Sequence, residues 1–221
     1  MTNELIEFLR KVGLVKRMPQ RGFALRGVKN PQTVGAHGFR EAIMGWMIAR
    51  ISYSGFDCNR VMKIALVHDM CAGYAGDLTP YEFLLKKQNG KNVKSVFQSW
   101  IRLSKKEKEK ILESQRRKER KACGQLVKRL PKLLQSEIGG LWDEFEKGTT
   151  KEGRFVQQLD MFENFLEATH QWKHDEKFPI DPWWHQMKEL INDPVLVDFL
   201  KHMDERTLLY QKKRRVAQKK K

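Results

Sequence analysis

The stretch TTKEGRFVQQLDMFENFLEATHQ, Thr149 to Gln171, decides the fold class. Phe155, Leu159, Phe162 and Leu166 recur at spacings of three and four, the period of one helix face rather than of a strand. Thr149 followed three residues later by Glu152 is a capping-box pattern, so a helix is expected to open there and run to about Gln171. The same period continues outward. Leu5, Phe8, Leu9 and Val12 predict a short amphipathic helix near the N-terminus. After a loop rich in Pro, Gly and Arg, Thr33 is placed to cap a second helix, with Ile43, Met44, Met47, Ile48 and Ile51 on its apolar face. A third is expected over about 59–70, with Val61, Ile64 and Ala65 inward. Ser104 with Glu107 opens a long basic helix, roughly 105–130, that Pro131 ends. EIGGLWDEFEKG, closing at Gly148, and the residues after Pro194 predict two further helices. No alternation persists long enough for a sheet, and there is no internal repeat. The expected fold is all-α.

With 221 residues the chain has room for one domain, expected over 1–210. Its 40% hydrophobic content, including 12 Phe and 6 Trp, can fill a core and excludes wholesale disorder. No apolar run approaches the roughly 18 residues of a membrane span, and no signal-peptide pattern opens the chain. Cys58, Cys71 and Cys123, with no CxxC pair, fit a reducing compartment and argue against a disulfide framework or a zinc ribbon. A soluble, cytoplasmic protein is expected. The net charge of +16 is unevenly spread: residues 1–100 and 101–130 each carry a surplus of eight positive charges, 131–210 a deficit of seven, and QKKRRVAQKKK (211–221) a surplus of seven. That tail is expected to be disordered and to contact polyanions weakly and without sequence preference. No RNA-binding aromatic signature and no DNA-reading zinc motif accompanies the charge.

His68-Asp69 carries the chemistry. His68 stands four residues after Ile64 and seven after Val61, on the face expected to be buried. Spacing alone leaves it open between a hydrogen-bonded core histidine and a ligand. The adjacent Asp69 weighs toward the latter, because two neighbouring polar groups near a core need partners and a metal ion satisfies both. His37, in the small and apolar context VGAHGF, and Asp160, beside Leu159, could complete such a site from two other helices. A mixed nitrogen and oxygen set with positions left for water suits Mn, Fe, Co, Ni or Zn in a reactive site better than a structural zinc. Composition alone would not select these four residues.

The order His37, His68-Asp69, Asp160 resembles the H…HD…D pattern of the HD-domain metal-dependent phosphohydrolases. LVKRMPQRGF, NPQTVGAHGFR, IALVHDM, GDLTP and LWDEFEKGTTKEGRFVQQLDMFENFLEA, in that order, are similar to the 5'-deoxynucleotidase branch of that family. The resemblance spans about residues 2–200. It implies an HD-domain helical bundle with the metal site in its core, one divalent ion (Mn, Co, Fe, Ni, Zn and Mg are not distinguished) held by His37, His68, Asp69 and Asp160, and hydrolysis of a nucleoside 5'-monophosphate. It further implies that Arg17 binds the substrate phosphate and that Asp77, in GDLTP, serves water or the leaving oxygen. A homodimer is also within the family's range.

One departure matters. The family pattern H-D-x-x-E carries a glutamate for proton transfer, and here the position is Ala72. Loss of a general acid or base costs about 10²–10⁴ in rate. A weakened HD protein that senses or scavenges nucleotide is therefore an alternative to the enzyme. A polyanion-binding protein using 101–130 and the tail is a second. His170 and His174 stand four apart but lack the HExxH glutamate. Trp183, Trp184 and Phe178 are expected to pack rather than stack on bases, and Trp142 and Phe145 to lie in the core.

Overall fold

The computed structural model describes residues 2–52, 55–77, 79, 96–97 and 104–204. The basic tail, Leu78 and Pro80 of the GDLTP segment, and the C-terminal limit set for the domain lie outside them. The described residues are helical apart from turns and one isolated bridge between Pro19 and Thr33. The helices are α1 (Thr2–Val12), a 3-10 helix (Gly13–Arg17), α2 (Arg21–Leu25), α3 (Val34–Ile51), α4 (Cys58–Val67), α5 (Ala72–Ala75), α6 (Lys105–Val127), α7 (Lys132–Lys147), α8 (Lys151–His174) and α9 (Asp181–Leu190). A last helix, α10, covers 194–204. The all-α expectation holds.

Local chemistry sets the ends. Thr33 accepts from Ala36 N to cap α3, and Asp57 accepts from Asn59 N and Arg60 N to cap α4. Ser104 and Glu107 form both bonds of a capping box on α6. Gly148 closes α7 in the left-handed region, φ 58°, where a side chain would be strained. That left-handed residue moves the next cap along by one: Thr150, not Thr149, accepts from Gly153 N. Glu152 is buried and accepts from Asp57 N at 3.1 Å instead of closing a box.

α3, α4 and α8 form the central layer. Ala42, Ile48, Ala49, Val61, Ile64, Ala65, Phe155, Val156, Leu159 and Phe162 are buried between them. A Cβ on Gly45 would stand 2.8 Å from Val61 Cγ1 and 3.0 Å from Leu159 Cδ2, so the missing side chain lets the three helices meet. The face of α3 differs from the expected one: Ile43, Met47 and Ile51 point to solvent, while the smaller Ala42, Gly45 and Ala49 face inward. In α1, Leu5 and Leu9 are likewise exposed, and Phe8 and Val12 make the packing contact.

A second cluster joins α6 and α7 to the turn after α4 through Cys71, Cys123, Leu126, Leu130 and Trp142. All three cysteines are free. Phe178 and Trp183 stack on Phe23, at 6.2 and 5.5 Å between centroids, and Trp184 meets Phe165 edge-on. These aromatics pack, as expected. No described helix is long and apolar enough to cross a membrane.

The α7–α8 junction is tied by charge. Arg60 of α4 donates from Nε to both oxygens of buried Glu144, at 2.9 Å each, and Thr150 Oγ1 donates to the same carboxylate. Close approach there rests on Gly153, where a Cβ would stand 2.6 Å from the backbone oxygen of Glu144. Gly153→Ala is therefore expected to force the two helices apart. Overpacking costs about 1–3 kcal/mol against about 1 kcal/mol of helix propensity gained. Because the clash is with backbone, the cost lies toward the upper end, and a net loss approaching about 2 kcal/mol should appear as a Tm lower by several degrees in thermal denaturation; an unchanged or higher Tm would contradict it.

Candidate metal centre

Three helices bring their polar groups to one point. His37 lies in the first turn of α3, His68 at the C-terminal cap of α4, and Asp160 midway along α8. One ligand atom from each of His37, Glu41, His68 and Asp160 falls within 4.8 Å of all the others. His37 and Glu41 are fully buried, and their helical spacing of four puts both on one face. His37 Nε2 is 3.6 Å from Glu41 Oε2 and 3.1 Å from Asp160 Oδ1, and His68 Nδ1 is 3.5 Å from Glu41 Oε2. The rings of His37 and His68 meet edge to face at 5.6 Å.

The outer nitrogens are fixed. His68 Nδ1 donates to the Ala65 carbonyl at 2.8 Å, and His37 Nδ1 is bound to Glu163. Both bonds leave the Nε2 lone pair as the coordinating one. Glu163 is buried and held in turn by Arg40 Nε at 2.6 Å and by Gln32 at 3.2 Å. Asp160 accepts from Asn164 at 2.8 Å, and Asn164 accepts from Gln20 at 3.0 Å. Every outer contact is thus supported, while inward the reverse holds. His37 Nε2, His68 Nε2 and both oxygens of Glu41 are buried without a hydrogen bond. Four such atoms facing one another are what a cation site leaves when its donors converge on an ion, because each orphaned polar atom otherwise costs about 1–3 kcal/mol. Two imidazole nitrogens and carboxylate oxygens fit a divalent transition metal or Mg.

The electrostatics agree. Burial disfavours charge on His37, but the Asp160 and Glu163 carboxylates raise its pKa well above the usual histidine value. Burial likewise opposes charge on His68, yet Glu41, Asp69 and Asp160 lift it to about 9. Glu41 is pushed up to about 8 by burial, against the pull of both histidines. Asp160 sits below the ordinary carboxylate range: burial raises it, but the nearby His37 and His68 and the Asn164 amide together outweigh that. Protons are held where a cation would sit.

Of the residues named from sequence, His37, His68 and Asp160 meet here, and Asp69 lies beside them. Its Oδ2 is 3.5 Å from His68 Nε2, with the side chain 40% exposed. Asp69, Asp77 and Asp160 all line a cavity of about 170 Å³ that opens from His68. Asp77 accepts from the Arg21 amide, and burial raises it to about 6. Arg17, at the end of the 3-10 helix, is exposed and is not among the residues lining that cavity. Its helix is nonetheless seated against the start of α3, where a Cβ on Gly35 would stand 3.1 Å from Lys16 Cα. Glu41, Glu163 and Glu119 were not singled out by the sequence reading. For Glu41 the signal was its spacing of four from His37. His170 and His174 meet edge-on at 4.5 Å at the exposed end of α8, with no third ligand among the described residues.

The HD domain family model matches residues 12–195. The 5'-deoxynucleotidase HDDC2 of Mus musculus is 33% identical over 165 residues, 75% of this chain and 68% of its own. That of Homo sapiens is 32% identical over 165 residues, 75% and 67% of the two chains. That of Danio rerio is 27% identical over 205 residues, 92% and 88%. Among solved structures, a conserved hypothetical protein from Pyrococcus furiosus superposes with a TM-score of 0.64 at 22% identity, over 90% of this chain and 99% of that one. A predicted metal-dependent phosphohydrolase from Magnetospirillum magnetotacticum MS-1 gives 0.62 at 18% identity, over 94% and 95%. At such identities the likeness is one of fold.

Two outcomes follow for cation binding. His68 and His37 carry protons at neutral pH and must lose them to coordinate, so Mn²⁺ binding is expected to release protons at pH 7 and to tighten as pH rises toward 9. Titration calorimetry in buffers of different ionisation enthalpy reads both; binding with no proton release and no pH dependence would exclude this donor set. Glu163→Gln keeps the volume but weakens the hold on His37 Nδ1, and should lower Mn²⁺ affinity by about 10–100-fold. Unchanged affinity in that variant would show that Glu163 does not tune the ligand.

Proposed function

The chain belongs to the HD domain family, and on that premise we propose that it is a metal-dependent phosphohydrolase releasing phosphate from (deoxy)nucleoside 5'-monophosphates. The observation that carries this reading is the buried cluster of His37, Glu41, His68 and Asp160 with its unpartnered inner atoms, of which His68 and Asp160 also line a cavity together with Asp69 and Asp77. His37, His68, Asp69 and Asp160 would hold one divalent ion, with Glu41 within reach as a further oxygen donor. When bound, such an ion supplies a Lewis acid for a phosphate oxygen and lowers the pKa of a water.

The chain's own groups do the rest. The Ala65 carbonyl and Glu163 hold the two imidazoles in the coordinating tautomer. Asp77, steadied by the Arg21 amide, presents a carboxyl to the cavity that can orient water or the leaving oxygen. Arg17 would bind the phosphate through its planar set of donors, on a segment that Gly35 allows to lie close to α3. Cys71 and Phe145 add apolar surface to the cavity lining. The readings of a weak polyanion contact by 211–221 and of a homodimer stand beside this proposal as separate ones. Two cations of the basic helix already have partners within the fold: Arg116 bonds Glu146 at 3.1 Å, and Arg120 reaches Asp143 at 2.7 Å.

The test is phosphate release from a panel of nucleoside 5'-monophosphates with Mn²⁺, Co²⁺, Mg²⁺ and Zn²⁺, alongside metal analysis of the purified protein. Wild type is expected to turn over at least one of them, and His68→Ala and Asp160→Ala to lose both metal and activity. Full metal occupancy in both variants would overturn the ligand set. A metal-loaded wild type that binds nucleotide and releases no phosphate would favour the sensor.

A further inference from the structure

A second carboxylate group enters the cavity from an element outside the metal cluster. Glu119 lies on α6, the long basic helix, and lines the cavity with His68, Asp69, Ala72, Asp77 and Asp160. α6 packs against α5, which begins at Ala72, and against α7. Ala72 is buried and offers the cavity only a methyl group. Glu119 and Ala72 thus border one cavity from two packed helices, and of the two only Glu119 carries an ionisable group.

The carboxylates of the cavity divide by partner. Asp69 and Asp160 stand at the metal cluster, and Asp77 accepts from the Arg21 amide. Glu146 is bonded by the Arg116 guanidinium and its carbonyl accepts from the same side chain at 3.0 Å. Glu119 has no hydrogen-bond or ion-pair partner among the described residues, although it is half-buried on a helix crowded with Lys and Arg. A carboxylate left unpaired in such a place is raised in proton affinity: burial, then the neighbouring Glu146 and Asp69, push it up to about 7. A carboxyl that holds a proton near neutrality is what an alkoxide leaving group requires.

We propose that Glu119 is the general acid of this site, donating its proton to the 5'-oxygen of the departing nucleoside. The inference rests on the phosphohydrolase reading above. In the step, a water oxygen bonds to phosphorus as the P–O5' bond breaks, and the electron pair of that bond goes to O5', which takes the proton of Glu119. The water gives up one proton to solvent, phosphate leaves as its monohydrogen form, and the Glu119 carboxylate recovers a proton from solvent. Nothing is oxidised or reduced.

The experiment compares wild type, Glu119→Gln and Glu119→Asp at measured Mn²⁺ occupancy, on dAMP and on nitrophenyl phosphate, whose leaving group departs without a proton. Glu119→Gln is expected to lose about 10²–10⁴-fold in kcat on dAMP and far less on nitrophenyl phosphate, with unchanged metal content. Glu119→Asp, which keeps a carboxyl, should recover part of the dAMP rate. Wild-type turnover of dAMP by Glu119→Gln overturns the proposal and leaves the phosphohydrolase reading standing. Equal losses on both substrates, or loss of metal from Glu119→Gln, also overturn it by assigning Glu119 to structure or to the metal. A metal-loaded wild type that hydrolyses no nucleoside monophosphate overturns the reading and the proposal together.

Discussion

The contact between Glu163 and His37 Nδ1 is the constraint around which the site is arranged. Both side chains are buried, one on α3 and one on α8, so the bond fixes the approach of the two helices as well as the imidazole. A buried carboxylate cannot stand alone, and Glu163 is matched by Arg40, whose guanidinium also reaches Glu167 at 3.1 Å. Removing one partner of such a set leaves an uncompensated charge and costs about 3–5 kcal/mol. The arrangement therefore specifies a register between α3 and α8, and Gly45 supplies the steric condition for it by letting Val61 and Leu159 close over the helix.

That rigidity on the outside contrasts with the want of partners inside. His37 Nε2, His68 Nε2 and the Glu41 carboxylate have no hydrogen-bond partner in the fold, and the carboxylates around them raise the proton affinity of both histidines: Asp160 and Glu163 that of His37, and Glu41, Asp69 and Asp160 that of His68. Packing alone would select against four orphaned atoms in a core. They lie next to an apolar layer containing Ile64, Ala65, Leu159 and Phe162, where a divalent cation would satisfy them. A cation bound there would return the local stability that these unpartnered atoms cost the free chain.

Much of this was legible in the sequence, and the misses have physical causes. The period of α8 placed Phe155, Leu159 and Phe162 in the core, but the helix is buried on more than that stripe, and Val156, Phe165, Ala168 and Trp172 are enclosed as well. α3 is apolar on more than one side, and there the period could not choose. The choice fell to the small residues, because Ala42, Gly45 and Ala49 permit close approach to α4 and α8 while Ile43, Met47 and Ile51 do not. Thr149 and Thr150 compete for one cap, and the left-handed Gly148 settled it. His37, His68-Asp69 and Asp160 were reached through an ordered resemblance. The role of Glu41 needed the knowledge that its helix face was buried.

Glu119 had no local signal at all. Within KKEKEKILESQRRKERKACGQLV it is one charge among many, and every such run reads as a solvated face. Its placement comes from long-range packing: Ala122, Cys123 and Leu126 anchor the inner side of α6 against Met70, Cys71 and Trp142, and Glu119, one turn before Cys123, lines the cavity. Arg116 and Arg120 then engage Glu146 and Asp143 on α7, so the basic character of the helix neutralises acids at the rim while leaving Glu119 unneutralised. A helix that sequence reads as a solvated face also contributes, in the fold, one wall of an acidic cavity through Glu119. Of the five carboxylates that line the cavity, Glu146 alone is paired with a cation of α6 among the described residues, which reduces the repulsion that α6 meets there.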